Sequence, residues 1–353
     1  MNSRFLGKTA AGITPYVPGE QPQDKQYIKL NTNECPYPPA PGVSSAFADF
    51  DDLRLYPDPD VKALSREMGA FYALPENQVF SAAGSDEALA YAFMAFFSPG
   101  DKVYYPDISY GFYSVYAELM GLNGCTIPLR EDFTIAPEDY FGLDGNIVIA
   151  NPNAPTGIAL TPAQIEQIII ANPDRLVVID EAYADFAPGC SCIGLIEKHE
   201  NLMVIQTFSK SRALAGMRIG FAFAQPPLID GLARIKYSFN PYNLDRVAIA
   251  VGISAIRDRE YLEKTVAQII KTREFTVTEL EGLGFEVLPS SANFVFARIN
   301  GFTGKQLYLA LKARGILVRQ FEKPRISDYL RITIGTDKEM SALINAISLC
   351  LEE

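Results

Sequence analysis

Three short runs in the middle of the chain most constrain its fold. Leu176–Ile179, Leu202–Gln206 and Ile219–Ala224 are apolar at almost every position rather than at alternate ones. A strand that is apolar on both faces must be covered on both faces. Helix-like segments separate these runs, which predicts a mostly parallel sheet between two layers of helices. Further strands are expected at Gln78–Ala82, Lys102–Tyr105 and Ile147–Ala150. Helices are expected at Val61–Tyr72, at Ser85–Phe97 behind Gly84, and from Thr161 to about Ala171. Thr161-Pro162 reads as a cap followed by proline in the first turn.

Beyond about residue 248 the texture changes. Long amphipathic helices run from Arg246 to Leu283, followed by strands at Phe285–Leu288, Phe294–Arg298, Ile316–Val318 and Leu330–Ile334 and a helix at Gly304–Arg314. That is the pattern of a smaller α+β unit with a mainly antiparallel sheet. At the other end, residues 1–60 hold Pro15, Pro18, Pro22, Pro36, Pro38, Pro39, Pro41, Pro57 and Pro59. So much proline predicts an extended arm docked on its own body or on a partner subunit. The expected division is an arm over 1–35, a large domain over 36–248 and a small domain over 249–353, consistent with 353 residues.

Charge narrows the partners. With 31 basic and 42 acidic residues the net charge is −11. That argues against nucleic acid or an anionic membrane as partner and leaves room for a local basic pocket. His199 is the only histidine. This disfavours Ser-His-Asp and Cys-His chemistry and a His-rich metal centre; His199 itself reads as part of a solvated turn. Five scattered cysteines, at 35, 125, 190, 192 and 350, read as reduced thiols of a cytoplasmic protein. Cys190-Ser191-Cys192 has no second cluster to complete a metal site, so no metal is expected. The longest apolar run, Ala88–Phe97, is too short to cross a bilayer, and Met1–Gly12 has no leader-like apolar stretch.

Ligands of α/β sheets gather at strand exits. One exit carries Gly84, Ser85 and Asp86 at a helix start, an anion cradle. The next carries Tyr110, whose face suits a flat ring. A third is the stiff loop Asn151–Gly157. Asp180 follows four apolar residues and needs a cationic partner there. Lys210 ends the Thr207-Phe208-Ser209-Lys210 exit, where partial desolvation favours a neutral amine. Thr207, Ser209 and Arg218 around it suit a phosphate. One ligand would use them all: a phosphorylated aromatic ring with a basic ring nitrogen and an aldehyde, which is pyridoxal 5′-phosphate. Asp180 would keep the ring nitrogen protonated and Lys210 would condense with the aldehyde.

With these residues the chain resembles the fold-type I pyridoxal-phosphate aminotransferases, and among them most the histidinol-phosphate aminotransferases. The segments that carry the likeness are Asn151–Gly157 (NPNAPTG), Ile179–Tyr183 (IDEAY), Thr207–Lys210 (TFSK), Leu214–Arg218 (LAGMR) and Leu330–Gly335 (LRITIG). Earlier ones are Pro15–Gly19 (PYVPG), Leu30–Glu34 (LNTNE), Leu55–Pro57 (LYP) and Ala83–Glu87 (AGSDE).

The resemblance implies an α/β fold with a mostly parallel seven-stranded sheet in the large domain, a small α+β domain and an N-terminal arm. It implies reversible amino transfer between histidinol phosphate or imidazole-acetol phosphate and glutamate or 2-oxoglutarate. Alternatives within the likeness are an aromatic or broad-specificity aminotransferase and a threonine-phosphate decarboxylase. It further implies that Lys210 shuttles the substrate proton, and that Tyr183 and an asparagine of the 151–157 loop hold the cofactor's phenolate oxygen. Many relatives have asparagine directly before Pro-Thr-Gly, where this chain has Ala154, so either Asn153 reaches that oxygen or Tyr183 holds it alone. By the same resemblance the protein is a homodimer, Tyr56 reaches the cofactor phosphate of the neighbouring subunit, and Tyr16 and Asn33 line the substrate side. Arg331 with Arg319 would bind a substrate phosphate or carboxylate.

Overall fold

A computed structural model of the chain describes residues 4–48 and 50–352. Met1–Ser3, Asp49 and Glu353, which belong to the expected arm, large domain and small domain, lie outside the described residues.

In chain order the arm carries a single helical turn, Lys8–Gly12 (α1), and a two-residue strand, Ile28–Lys29 (β1). After Lys62–Tyr72 (α2) come Val79–Ala82 (β2), Ser85–Phe96 (α3), Lys102–Pro106 (β3), Phe112–Leu119 (α4) and Asn123–Ile127 (β4). Then follow Asn146–Ala150 (β5), Pro162–Ala171 (α5), Val177–Asp180 (β6), Leu202–Thr207 (β7), Gly220–Ala224 (β8) and Pro226–Phe239 (α6). Strands β2 to β8 form one sheet in the order β2-β8-β7-β6-β5-β3-β4. Only β8 runs against the rest, antiparallel to both β2 and β7.

The doubly apolar strands behave as their composition requires. Ile147, Ile149, Val177, Ile179, Leu202 and Val204 pack into one core with Ile165, Ile168 and Ile169 of α5. Their alternates Val148, Val178, Met203 and Ile205 pack on the opposite face against Ala88, Leu89 and Ala92 of α3. Strand β4 escaped the sequence pattern because it is an edge strand that pairs only with β3 and has no buried position. Helices α4 and α6 were likewise not anticipated.

Arg246–Arg257 (α7) and Arg259–Gly282 (α8) are two helices broken at Asp258, whose carboxylate accepts from the Tyr261 amide at 3.1 Å. Helix α7 buries Ala248, Val251, Ala255 and Ile256 in the core of the large sheet, whereas α8 buries Leu262, Val266, Ile269 and Leu280 in a separate core. The change of core thus falls at Asp258 rather than at 248, because the apolar face of α7 matches the sheet side. Phe285–Val287 (β9), Phe294–Ile299 (β10), Gly304–Ala313 (α9), Ile316–Leu317 (β11), Arg319–Gln320 (β12), Leu330–Thr333 (β13) and Asp337–Glu352 (α10) complete the chain. Strands β12-β13-β10-β9 form an antiparallel sheet.

The arm docks on this smaller unit. Strand β1 pairs in parallel with β11, the Leu30 amide donates to the Leu317 carbonyl at 2.8 Å, and the Thr333 amide donates to the Leu30 carbonyl at 3.0 Å. No helix among the described residues is long and apolar enough to cross a membrane.

Candidate active site

The parallel strands β3, β5, β6 and β7 all exit on one edge of the sheet. Chain order reverses between β3 and β5, which leaves a crevice at that edge. Asp180 from the end of β6, Lys210 from the exit of β7 and Tyr110 from the exit of β3 meet there in one cavity.

Asp180 is buried; its Oδ2 accepts from the Tyr113 hydroxyl at 3.0 Å and its Oδ1 from the Ala182 amide at 3.2 Å. Burial pushes the acid up to about 6, while the Tyr113 and Ala182 bonds oppose that rise. A carboxylate in this position favours a cation in the cavity. Lys210 is half-buried and its Nζ donates to the Thr32 carbonyl at 3.2 Å, 5.9 Å from the centre of the Tyr183 ring.

Donors converge at the other end of the cavity. Helix α3 starts at Ser85 with no side-chain cap, so its first amides stay open to an anion. Gly84 has φ +86°, and a Cβ there would lie 2.5 Å from Arg218 Nη2. Arg218 donates to Ser209 Oγ at 3.2 Å and to Asp86 Oδ2 at 3.1 Å, and the Thr207 and Ser209 hydroxyls stand 2.9 Å apart. Asp86 also accepts from the Tyr110 hydroxyl at 2.8 Å, which fixes the ring that lines the cavity wall. An anion that enters here gains guanidinium, hydroxyl and helix-terminus donors together.

A second compartment opens beyond Lys210 and Tyr183, lined by the arm and the small sheet. Asn33, in the left-handed region at φ 58°, donates from Nδ2 to the Tyr183 hydroxyl at 2.9 Å. Tyr16 stacks on Phe112 with ring centres 4.4 Å apart. Arg331 donates from Nη2 to the Asn31 carbonyl at 3.0 Å, while its Nε is buried without a hydrogen-bond partner. Its guanidinium lies between Phe294 and Phe321, and burial lowers its pKa. No carboxylate pairs with it among the described residues, so it is poised for an anion from outside. Arg319 faces the same space but donates to the Val17 and Pro18 carbonyls at 3.1 and 3.2 Å, clipping the arm in place.

One residue singled out from the sequence for this cavity, Asn153, is not brought to it. Asn153 donates to the Ile108 carbonyl at 2.9 Å and to Thr156 Oγ1 at 3.1 Å, and its Oδ1 accepts from Ser109 at 2.8 Å. Its amide braces the loop against the exit of β3 and lines neither compartment; Ala154 does. Tyr56 lies on the surface, 76% exposed and stacked on Tyr242. His199 is no solvated turn: its side chain is largely buried and its Nε2 lies 3.0 Å from Glu166 Oε1. No cluster fit to hold a metal exists among the described residues. Thr32 and Glu34, from the Leu30–Glu34 segment, also line the cavity, and Tyr113 joins the site without a sequence signal, through tertiary contact with Asp180.

The chain is similar to known proteins over nearly its whole length. The family model described as aminotransferase class I and II matches residues 25–347. A histidinol-phosphate aminotransferase of Brachyspira hyodysenteriae is 54% identical over 350 residues, 99% of each chain. One from a Marinomonas species is 53% identical, covering 98% of this chain and 99% of its own. The crystal structure of histidinol-phosphate aminotransferase from Sinorhizobium meliloti, in complex with pyridoxal-5′-phosphate, superposes with a TM-score of 0.90 at 22% identity, over 99% of this chain and 98% of that one. The chain belongs to the class I and II aminotransferases, the pyridoxal-phosphate-dependent transaminases.

Proposed function

We propose that the enzyme exchanges an amino group between L-histidinol phosphate and 2-oxoglutarate, reversibly, with pyridoxal 5′-phosphate as cofactor. The observation that carries this reading is a pair of compartments that share Lys210, Tyr110 and Tyr183 in their walls. Asp180 and the Arg218 cradle stand at one end, and the unpaired Arg331 guanidinium at the other.

The residues fit the cofactor. The cradle of Ser85, Thr207, Ser209 and Arg218 suits its phosphate, Asp180 its ring nitrogen, and the hydroxyls of Tyr110 and Tyr183 edge the space between. When bound, the cofactor supplies an electron sink conjugated with the substrate's Cα. Lys210 would supply the amine that holds the cofactor and the base that moves the substrate's Cα proton. The Thr32 carbonyl holds its Nζ on the cavity side. Asp180, kept ionised by its donors, holds the ring nitrogen in its protonated form. Tyr183, itself oriented by Asn33 and lining the cavity where Asn153 does not, would hold the phenolate oxygen.

Arg331 is the receptor for the substrate's anion, and Arg319 acts on substrate through the arm that it clips. One anion receptor serves both substrates because a guanidinium accepts a phosphate or a carboxylate by the same paired bonds. The same name on relatives about half identical over nearly the whole length supports histidinol phosphate as the substrate. We further read the protein as a cytoplasmic homodimer. The exposed Leu53, Leu55, Tyr56, Phe239 and Tyr242 support a partner surface.

The test is the visible spectrum of the loaded protein during titration with amino donors. L-histidinol phosphate should bleach the cofactor band at far lower concentration than tyrosine or phenylalanine. Equal bleaching by the aromatic amino acids would move the function to a broad-specificity aminotransferase. Carbon dioxide release from threonine phosphate would move it to a decarboxylase.

A further inference from the structure

Asp180, the carboxylate that would hold the cofactor's ring nitrogen, is itself held by a residue that no sequence motif marks. Tyr113, on α4, is fully buried, and its hydroxyl donates to Asp180 Oδ2 at 3.0 Å. The second oxygen, Oδ1, accepts from the Ala182 amide at 3.2 Å. Two donors therefore hold the carboxylate from behind, while Asp180 still lines the cavity. The phenol cannot turn away. Its ring meets Tyr110 edge-on, with centres 5.7 Å apart at 84°, and Tyr105 at 6.1 Å. Burial and the neighbouring Asp180 keep this phenol protonated, so it is a donor across the working pH range.

The other charges near Asp180 work against each other. Asp86 favours its protonated form and Lys210 its ionised form. A carboxyl this deep would hold a proton in neutral water-free surroundings unless donors stabilised its charge. Tyr113 is the side chain that does so.

We propose that Tyr113 is a positioning residue that keeps Asp180 ionised and aimed, and thereby sets how tightly the protein holds a ligand's protonated ring nitrogen. The inference rests on the pyridoxal-phosphate reading. No bond to the ligand and no proton transfer passes through Tyr113; its hydrogen bond persists throughout.

The test compares two ligands on the cofactor-free protein by titration calorimetry. One is pyridoxal 5′-phosphate. The other is its 1-deaza analogue, which keeps the aldehyde, phenol and phosphate but has C–H in place of the ring nitrogen. Wild type should bind the first more tightly. Tyr113→Phe keeps the packed ring and loses the donor. It should weaken pyridoxal phosphate by roughly tenfold or more and the analogue by less than about twofold. Tyr113→His restores a donor on a smaller ring and should recover part of the preference, which also serves if the Phe variant does not fold. Equal weakening of both ligands would reduce Tyr113 to a packing role and overturn the proposal, as would an unchanged preference. Absence of any preference in wild type would instead overturn the role given to Asp180 and the cofactor reading beneath it.

Discussion

Lys210 and Asp180 do opposite things with burial. The lysine is half-buried and within reach of a single carbonyl, whereas the acid is wholly enclosed and depends on its donors to stay charged. Lys210→Ala should lower turnover by at least about a thousandfold, because nucleophile and base leave together. Its thermal unfolding should stay close to that of wild type, and a steady-state assay beside a melting curve checks both. Glu181, next in sequence, points away to a different buried set. It accepts from the Cys192 amide, Ser191 and Gln206, and burial pushes it up to about 7. Its folded value stands above its ordinary value near 4.5, so the folded state keeps a proton that the unfolded chain has already lost. Stability should therefore fall as pH rises through that window and level off above it, by on the order of 3 kcal/mol. Glu181→Gln should flatten that part of the curve. Thermal unfolding of the cofactor-free pair across pH would show parallel curves if Glu181 were not the group responsible.

At the scale of elements, the site depends on where strands end. The exits of β5, β6 and β7 were legible because their doubly apolar runs stop abruptly at Asn151, Asp180 and Thr207. Edge strand β4, with no buried position, offered no such pattern. The orientation of Asn153 was not legible for a related reason: the loop composition shows a polar amide at the exit, but which way it turns depends on Ser109 and the Ile108 carbonyl across the crevice. The β2–α3 junction is the tightest of these exits. Gly84→Ala would place a methyl group against Arg218 at a backbone conformation that disfavours side chains. Pyridoxal phosphate should then bind at least about tenfold more weakly in a protein with unchanged circular dichroism. Wild-type affinity in this variant would mean that Arg218 does not serve the phosphate.

For the whole molecule, the arm and both sheets meet over Lys210. The arm reaches there because β1 adds to β11 and Arg319 clips Val17 and Pro18, and a chain pinned at both points must cross the cavity mouth. Tyr56 lies at the surface, with its backbone carbonyl held by Arg246 at 3.0 Å. In the homodimer proposed here it serves the neighbouring site. Mixing Lys210→Ala subunits with Tyr56→Ala subunits should then restore activity to about a quarter of wild type, since random pairing makes half of the dimers hybrid and each hybrid holds one intact site. Activity no higher than that of the two parents alone would show that each site is made by one chain.

The sequence by itself determined the layered α/β fold and pointed to the strand exits at which Lys210, Asp180 and Arg218 line one cavity. Those follow from local rules: apolar runs force two-sided burial, and a charged residue after such a run must face a ligand or a partner. Tertiary structure alone decided that Asp258 rather than 248 divides the two cores, and that Arg319 binds the arm while Arg331 is left unpaired. It alone set Tyr113 behind Asp180 and Asn33 on Tyr183. Each of these is a contact between residues far apart in the chain, and neither periodicity nor motif spacing carries the direction in which a side chain turns once its segment is in place.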